Sequence, residues 1–152
     1  MGSFSLDLSR FCKNANADMQ TVIRKISFEA FRRIVLRTPV DTGRARANWG
    51  VAIGTPGTTY DITLADKSGQ ATLAKAADGT MGWNCRGSIF LTNNLPYIGA
   101  LEYGHSQVQA PNGMVRVTME EMIAWCNNAA NIKQSISGIR NEQEVTDGKR
   151  KD

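Results

Sequence analysis

Between Leu8 and Leu36 the apolar and small residues Leu8, Phe11, Ala15, Met19, Val22, Ile23, Ile26, Ala30, Ile34 and Val35 recur at gaps dominated by three and four. That spacing lines one face of an α-helix. It constrains the chain strongly, because a continuous helix of this span is about 40 Å long at about 1.5 Å per residue. Ser5 is placed to cap its start, and Pro39 biases Thr38 away from helical angles and supplies a stop. In a chain of 152 residues, which is enough for one core and too little for two full-sized ones, such a helix is expected to run along a sheet or into a neighbour.

The residues that follow alternate between turn and strand chemistry. Asp41 or Thr42 can cap a short helical turn that ends at Ala47. Trp49 to Ile53 and Thr58 to Leu64 are rich in strand formers and are separated by Gly54-Thr55-Pro56-Gly57, so they read as a β-hairpin. Ser68 can cap an alanine-rich helix through Ala77, with Asp78-Gly79 ending it. Arg86 to Asn93 reads as a third strand, and Pro96 opens a short helix, Tyr97 to Tyr103, that Gly104 terminates. After a loop over His105 to Asn112, the spacing from Met114 to Ile136 predicts a second long helix, although the β-branched alternation Val115-Arg116-Val117-Thr118 also suits a strand. The expected fold is α+β, with long N-terminal and C-terminal helices packed on a small, mostly antiparallel sheet. It forms a single domain over residues 1–137. Residues 138–152 make a charged tail whose only aliphatic residues are Ile139 and Val145, so ordering it needs partners.

Composition narrows the function. At 41% hydrophobic and 21% charged residues the chain matches globular averages. No apolar run reaches the roughly 18 residues that a membrane-spanning helix needs, since Arg24, Lys25, Arg32 and Arg33 or Asn127 and Asn128 break the candidates. The expectation is a soluble protein without a membrane partner. Its start lacks the basic and apolar blocks of a secretory leader, so it is expected to stay where it is made. Cys12, Cys85 and Cys126 are odd in number and lack metal or redox spacing, which reads as free thiols in a reducing compartment. His105 is the single histidine. No nucleophile elbow, phosphate-binding glycine loop, metal-binding helix pair or dinucleotide fingerprint is present. Asp41-Thr42-Gly43 is better explained as a turn than as an aspartyl catalytic element. Glu102 and His105 would pair as acid and base only if Gly104 did not end their helix. No catalytic, cofactor-binding or metal residue is therefore assigned.

The excess of basic residues is small, 18 Lys and Arg against 14 Asp and Glu. It concentrates in Arg24, Lys25, Arg32, Arg33, Arg37, Arg44 and Arg46, faced only by Glu29 and Asp41, and in the tail from Lys149 to Lys151. Guanidinium groups suit phosphate, so a sequence-independent DNA-binding regulatory protein of a mobile element is an alternative function. Little aromatic interleaving accompanies these arginines. Trp49, Trp83, Trp125, Tyr97 and Tyr103 are expected as core or interface anchors.

Two stretches, Thr38-Pro39-Val40-Asp41-Thr42-Gly43-Arg44-Ala45-Arg46-Ala47-Asn48-Trp49 and Asn93-Asn94-Leu95-Pro96-Tyr97-Ile98-Gly99-Ala100-Leu101-Glu102-Tyr103-Gly104-His105-Ser106, precede Ala110-Pro111-Asn112-Gly113-Met114. In order and spacing they resemble the neck, or tail-completion, proteins of long-tailed bacteriophages, over roughly residues 10–135. The resemblance implies a non-enzymatic virion protein at the head-to-tail junction, as tail completion protein or tail terminator. It would form a homo-oligomeric ring, commonly six-fold, between the head connector or stopper protein and the tail tube protein, and leave a channel for the genome. It would be assembled in the host cytoplasm. Asp41, Thr42, Gly43, Arg44, Arg46, Trp49, Tyr97, Glu102, Tyr103 and His105 are then expected as interface or structural-turn residues, with Arg44 and Arg46 close to packaged DNA.

Overall fold

The computed structural model describes residues 19–128. The expected helical stretch before Met19, its Ser5 cap, Cys12 and the tail over 138–152 lie outside the described residues, as does the far end of the expected 1–137 domain. In chain order the elements are α1 (Met19–Arg37), α2 (Arg44–Ala47), β1 (Gly50–Ile53), α3 (Gln70–Met81), β2 (Ile89–Thr92), α4 (Ile98–Glu102) and α5 (Val115–Asn127). The class is α+β. Among the described residues no helix is long and apolar enough to cross a membrane.

The chain divides into two compact units. One is Met1–Ile26 with Ile123–Asp152; the other is Ser27–Met122. In the first, Val22 and Cys126 are buried; in the second, the Cys85 thiol is free and exposed. The second unit holds a core of Ile34 and Val35 from α1, Trp49, Ala110 and Met114, against which Leu73, Leu91, Ile98, Leu101 and Val115 pack. Helices therefore cover a very small sheet. β1 and β2 pair antiparallel from Gly50 opposite Thr92 to Ile53 opposite Ile89.

The expected hairpin between Trp49–Ile53 and Thr58–Leu64 does not form: β1 takes β2 as its partner, and residues 58–64 are not a strand. Side chains have taken over the backbone groups a ladder would use. The Asn48 amide donates to the Asp61 carbonyl (2.9 Å), while the Asp61 N–H donates back to Asn48 Oδ1 (2.8 Å). Asn94 Nδ2 donates to the carbonyls of Gly57 and Thr59 (3.0 and 3.2 Å).

Two expectations about α3 also change. Its N-terminus is held mainly by Asp66, whose carboxylate accepts from the N–H groups of Gly69 and Thr72 and from the Thr72 hydroxyl, each at 2.8 Å. Ser68 contributes one longer bond from the Gln70 N–H (3.2 Å). Asp78-Gly79 does not end the helix, which runs on to Met81. Gly79 instead lets α3 approach the sheet: a Cβ there would lie 2.8 Å from both Cβ and Cγ1 of Val51.

An alanine in a helix interior ordinarily adds up to about 1 kcal/mol relative to glycine, so Gly79 separates two effects of opposite sign. Gly79→Ala is expected to lose about 1–3 kcal/mol through overpacking, measured by urea unfolding. Pairing it with Val51→Ala should recover part of the overpacking loss in a double-mutant cycle.

Candidate functional site: a hollow between the two motifs

The first motif leaves α1 through a buried relay. Trp49 Nε1 donates to the Thr38 hydroxyl (2.8 Å), which donates to the Ile34 carbonyl (2.8 Å). This fixes Trp49 in the core and stops α1 one residue before Thr38. Arg46 then ties the segment down, because its guanidinium donates to the carbonyls of Lys67 (2.6 Å), Leu36 (2.8 Å) and Thr38 (3.0 Å). Gly43 has φ +86°, and a Cβ on it would lie 2.7 Å from the Asp66 carbonyl carbon and from the Lys67 nitrogen. Only glycine fits there. The Asp66 N–H donates to the Gly43 carbonyl (3.1 Å). Thr42 accepts from the Arg44 N–H (3.3 Å), but the residue that precedes α2 is Gly43, which makes no side-chain cap. Asp41 is exposed.

The second motif is organised by Glu102. Its Oε2 accepts from the N–H groups of Met114 and Val115 (2.8 Å each) and its Oε1 from the Arg116 N–H (3.0 Å) and Nε (3.2 Å). Arg116 also donates to the Glu102 carbonyl (2.7 Å) and lies over the Tyr103 ring, 4.9 Å from its centroid. The first N–H groups of a helix have no partner within it. Supplying a carboxylate to three of them explains why Val115-Arg116-Val117-Thr118 enters α5 rather than a strand. Burial opposes ionisation of Glu102, but the amide and Arg116 bonds outweigh it and hold its carboxyl below the ordinary glutamate value. Both oxygens are thus taken by donors of α5, and neither is turned toward His105, which is exposed.

The motifs meet across a gap of 69 residues. Gln109 reads both polar groups of Val40, accepting from its N–H (2.7 Å) and donating to its carbonyl (3.1 Å). The result is an open hollow of about 400 Å³ lined by residues 39–45 together with Tyr97, Leu101, Ser106 and Gln109. Of the residues expected from sequence, Asp41, Thr42, Gly43, Arg44 and Tyr97 line it. Trp49, Arg46 and Glu102 do not; they hold its surroundings in place. Tyr103 and His105 face solvent beyond its lining, Tyr103 at 77% exposure. Leu101 and Ser106 belong to the stretch 93–106 without being singled out in it, and nothing short of the Val40–Gln109 contact marks Gln109, since that contact has no local spacing.

The basic cluster is largely occupied. Arg32 and Arg33 pair with Glu29 (3.2 and 2.8 Å), while Arg33 and Arg37 pair with Glu121 (3.2 and 2.7 Å). Arg37 also donates to the Thr118 hydroxyl (2.9 Å). Arg44 differs. Its Nε is buried without a hydrogen-bond partner, as is that of Arg46, but Arg46 satisfies its other nitrogens on carbonyls. Among the described residues no group of three or more His, Cys, Asp and Glu could hold a metal ion. Comparison with known protein families, curated proteins and solved structures finds no match for this chain.

Two measurements check the supports of the hollow. Because the folded pKa of Glu102 lies below its unfolded value, its stabilisation is complete above about pH 4.3 and is lost as pH falls through the folded value. Glu102→Gln should therefore cost about 1–3 kcal/mol at pH 7, and urea unfolding should show the gap from the parent closing as both are acidified toward about pH 3. Arg46→Ala strips donors from three carbonyls and should cost on the order of 2 kcal/mol, with Arg46→Lys recovering only part because one ammonium cannot span the same fork.

Proposed function

We propose that this chain is a non-enzymatic virion structural subunit that forms a ring, six-fold in the simplest case, at the phage head-to-tail junction. It would join a head connector or stopper to the tail tube and leave a channel for genome passage during ejection. The observation that carries the reading is the meeting of two motifs. The stretches over 38–49 and 93–106, which give the resemblance to neck and tail-completion proteins, come together at one open hollow, and their Arg46 and Glu102 hold its surroundings in place. A surface fixed by Arg46, Glu102 and Gln109 is rigid enough to present the same contact to each neighbour around an axis. Tyr97, Tyr103 and Val108, all exposed and the last at 94%, supply apolar area beside that contact.

The charges favour this over a DNA-binding regulator. Arg32, Arg33 and Arg37 are paired with Glu29 and Glu121, and Arg46 is bonded to carbonyls, so few guanidinium groups remain for phosphate. Glu102 would need a free oxygen to serve a hydrolase, and both of its oxygens accept from α5.

Particle assembly with and without the chain tests the proposal. Without it, DNA-filled heads and finished tails should accumulate unjoined; with it, electron microscopy of the junction should resolve a symmetric collar containing the chain. Normal joined particles in its absence, or particles that never contain it, would overturn the reading.

A further inference from the structure

Arg44 and Asp41 line the same hollow, and neither side chain has an ion-pair or hydrogen-bond partner among the described residues. Arg44 carries the larger cost, because its Nε–H is buried and unanswered. A group entering the hollow would therefore gain most by bringing a carboxylate to Arg44 and a cation to Asp41.

Among the described residues the chain itself offers that combination once. Glu29, Glu102 and Glu121 accept from arginines, and Asp61 and Asp66 accept from neighbouring hydroxyl and N–H groups. Outside the hollow, Asp78 and Glu120 are the described carboxylates left without a partner. Asp78 lies on the exposed stripe of α3 formed by Ala71, Ala74, Lys75 and Asp78, spaced i, i+3, i+4 and i+7, with Met81 exposed one turn further on. Lys75 is likewise unpartnered. Small side chains make this a slim ridge that carries one base, one acid and an exposed methionine. Glu120 sits between exposed Met119 and Ile123, and the nearest base one turn before it, Arg116, is already bonded to Glu102.

We propose that the hollow receives the α3 ridge of a second copy of this chain, with Asp78 of that copy on Arg44 and its Lys75 near Asp41. Hollow and ridge are different surfaces of one chain, so the contact is head-to-tail, the kind that closes into rings. The inference rests on the ring reading above and names the contact that builds the ring. It also explains why Arg44 has no partner among the described residues: its acceptor belongs to the neighbour.

Charge reversal tests it in the full-length chain by sedimentation velocity up to millimolar concentration. The parent should associate with increasing concentration. Arg44→Asp and Asp78→Arg should each weaken association by about tenfold or more, since like charges then face each other. The double variant should recover it, and so should a mixture of the two single variants, in which each hollow meets an oppositely charged ridge. Glu120→Arg should leave association unchanged, and circular dichroism should show all variants folded. Single reversals that associate like the parent overturn the Arg44–Asp78 contact while leaving the collar in particles as a separate question. Loss with Glu120→Arg but not Asp78→Arg overturns it too, as does a parent that stays monomeric. Unchanged association with weakened retention of duplex DNA by Arg44→Asp would assign Arg44 to phosphate instead.

Discussion

The carboxylate of Glu102 accepts from three successive backbone amides at the start of α5 and from Arg116. Much of the larger unit depends on this one group. It fixes where α5 begins, and Met114 beside that start is fully buried in the core with Ile34, Val35 and Trp49. It also closes the segment between α4 and α5, and from that segment Gln109 reaches Val40. The position of the first motif against the second is thus set by a chain of polar contacts that begins at one half-buried carboxylate. Such a contact is stronger than a neutral hydrogen bond because one partner is ionised.

The same economy governs the rest of the unit. Two strands of four residues cannot satisfy many backbone groups. Side chains do that work instead: Arg46 for Leu36, Thr38 and Lys67, Asn48 for Asp61, Asn93 for Ala45, and Asn94 for Gly57 and Thr59. Arginine and asparagine suit the task because each offers several donors in a planar group. This is why a stretch rich in strand formers, Thr58 to Leu64, is held without a strand partner. It is also why polar side chains that the sequence alone would leave to solvent act as structural ties.

Charge follows a parallel division. Glu29, Glu102 and Glu121 absorb Arg32, Arg33, Arg37 and Arg116, while Arg44 and Asp41 in the hollow and Lys75 and Asp78 on α3 are among the described groups left unanswered. One unmatched group of each sign on both of these surfaces is more informative than the overall excess of basic residues.

Periodicity and local turn chemistry determined much by themselves. The helical face through Val22, Ile26, Ile34 and Val35, the stop before Pro39, the α-helix after Gly69 and the short helix before Gly104 all follow from spacing within a few residues, because a helix buries one face wherever it packs. The tertiary structure alone decided which strand pairs with β1, that Gly79 is a point of contact with Val51 rather than a helix end, that Glu102 caps α5, and that Val40 meets Gln109. Each of these joins groups far apart in sequence. Their partners are chosen by which unsatisfied donor or acceptor comes within reach once the core closes, and no local pattern of residues records that distance.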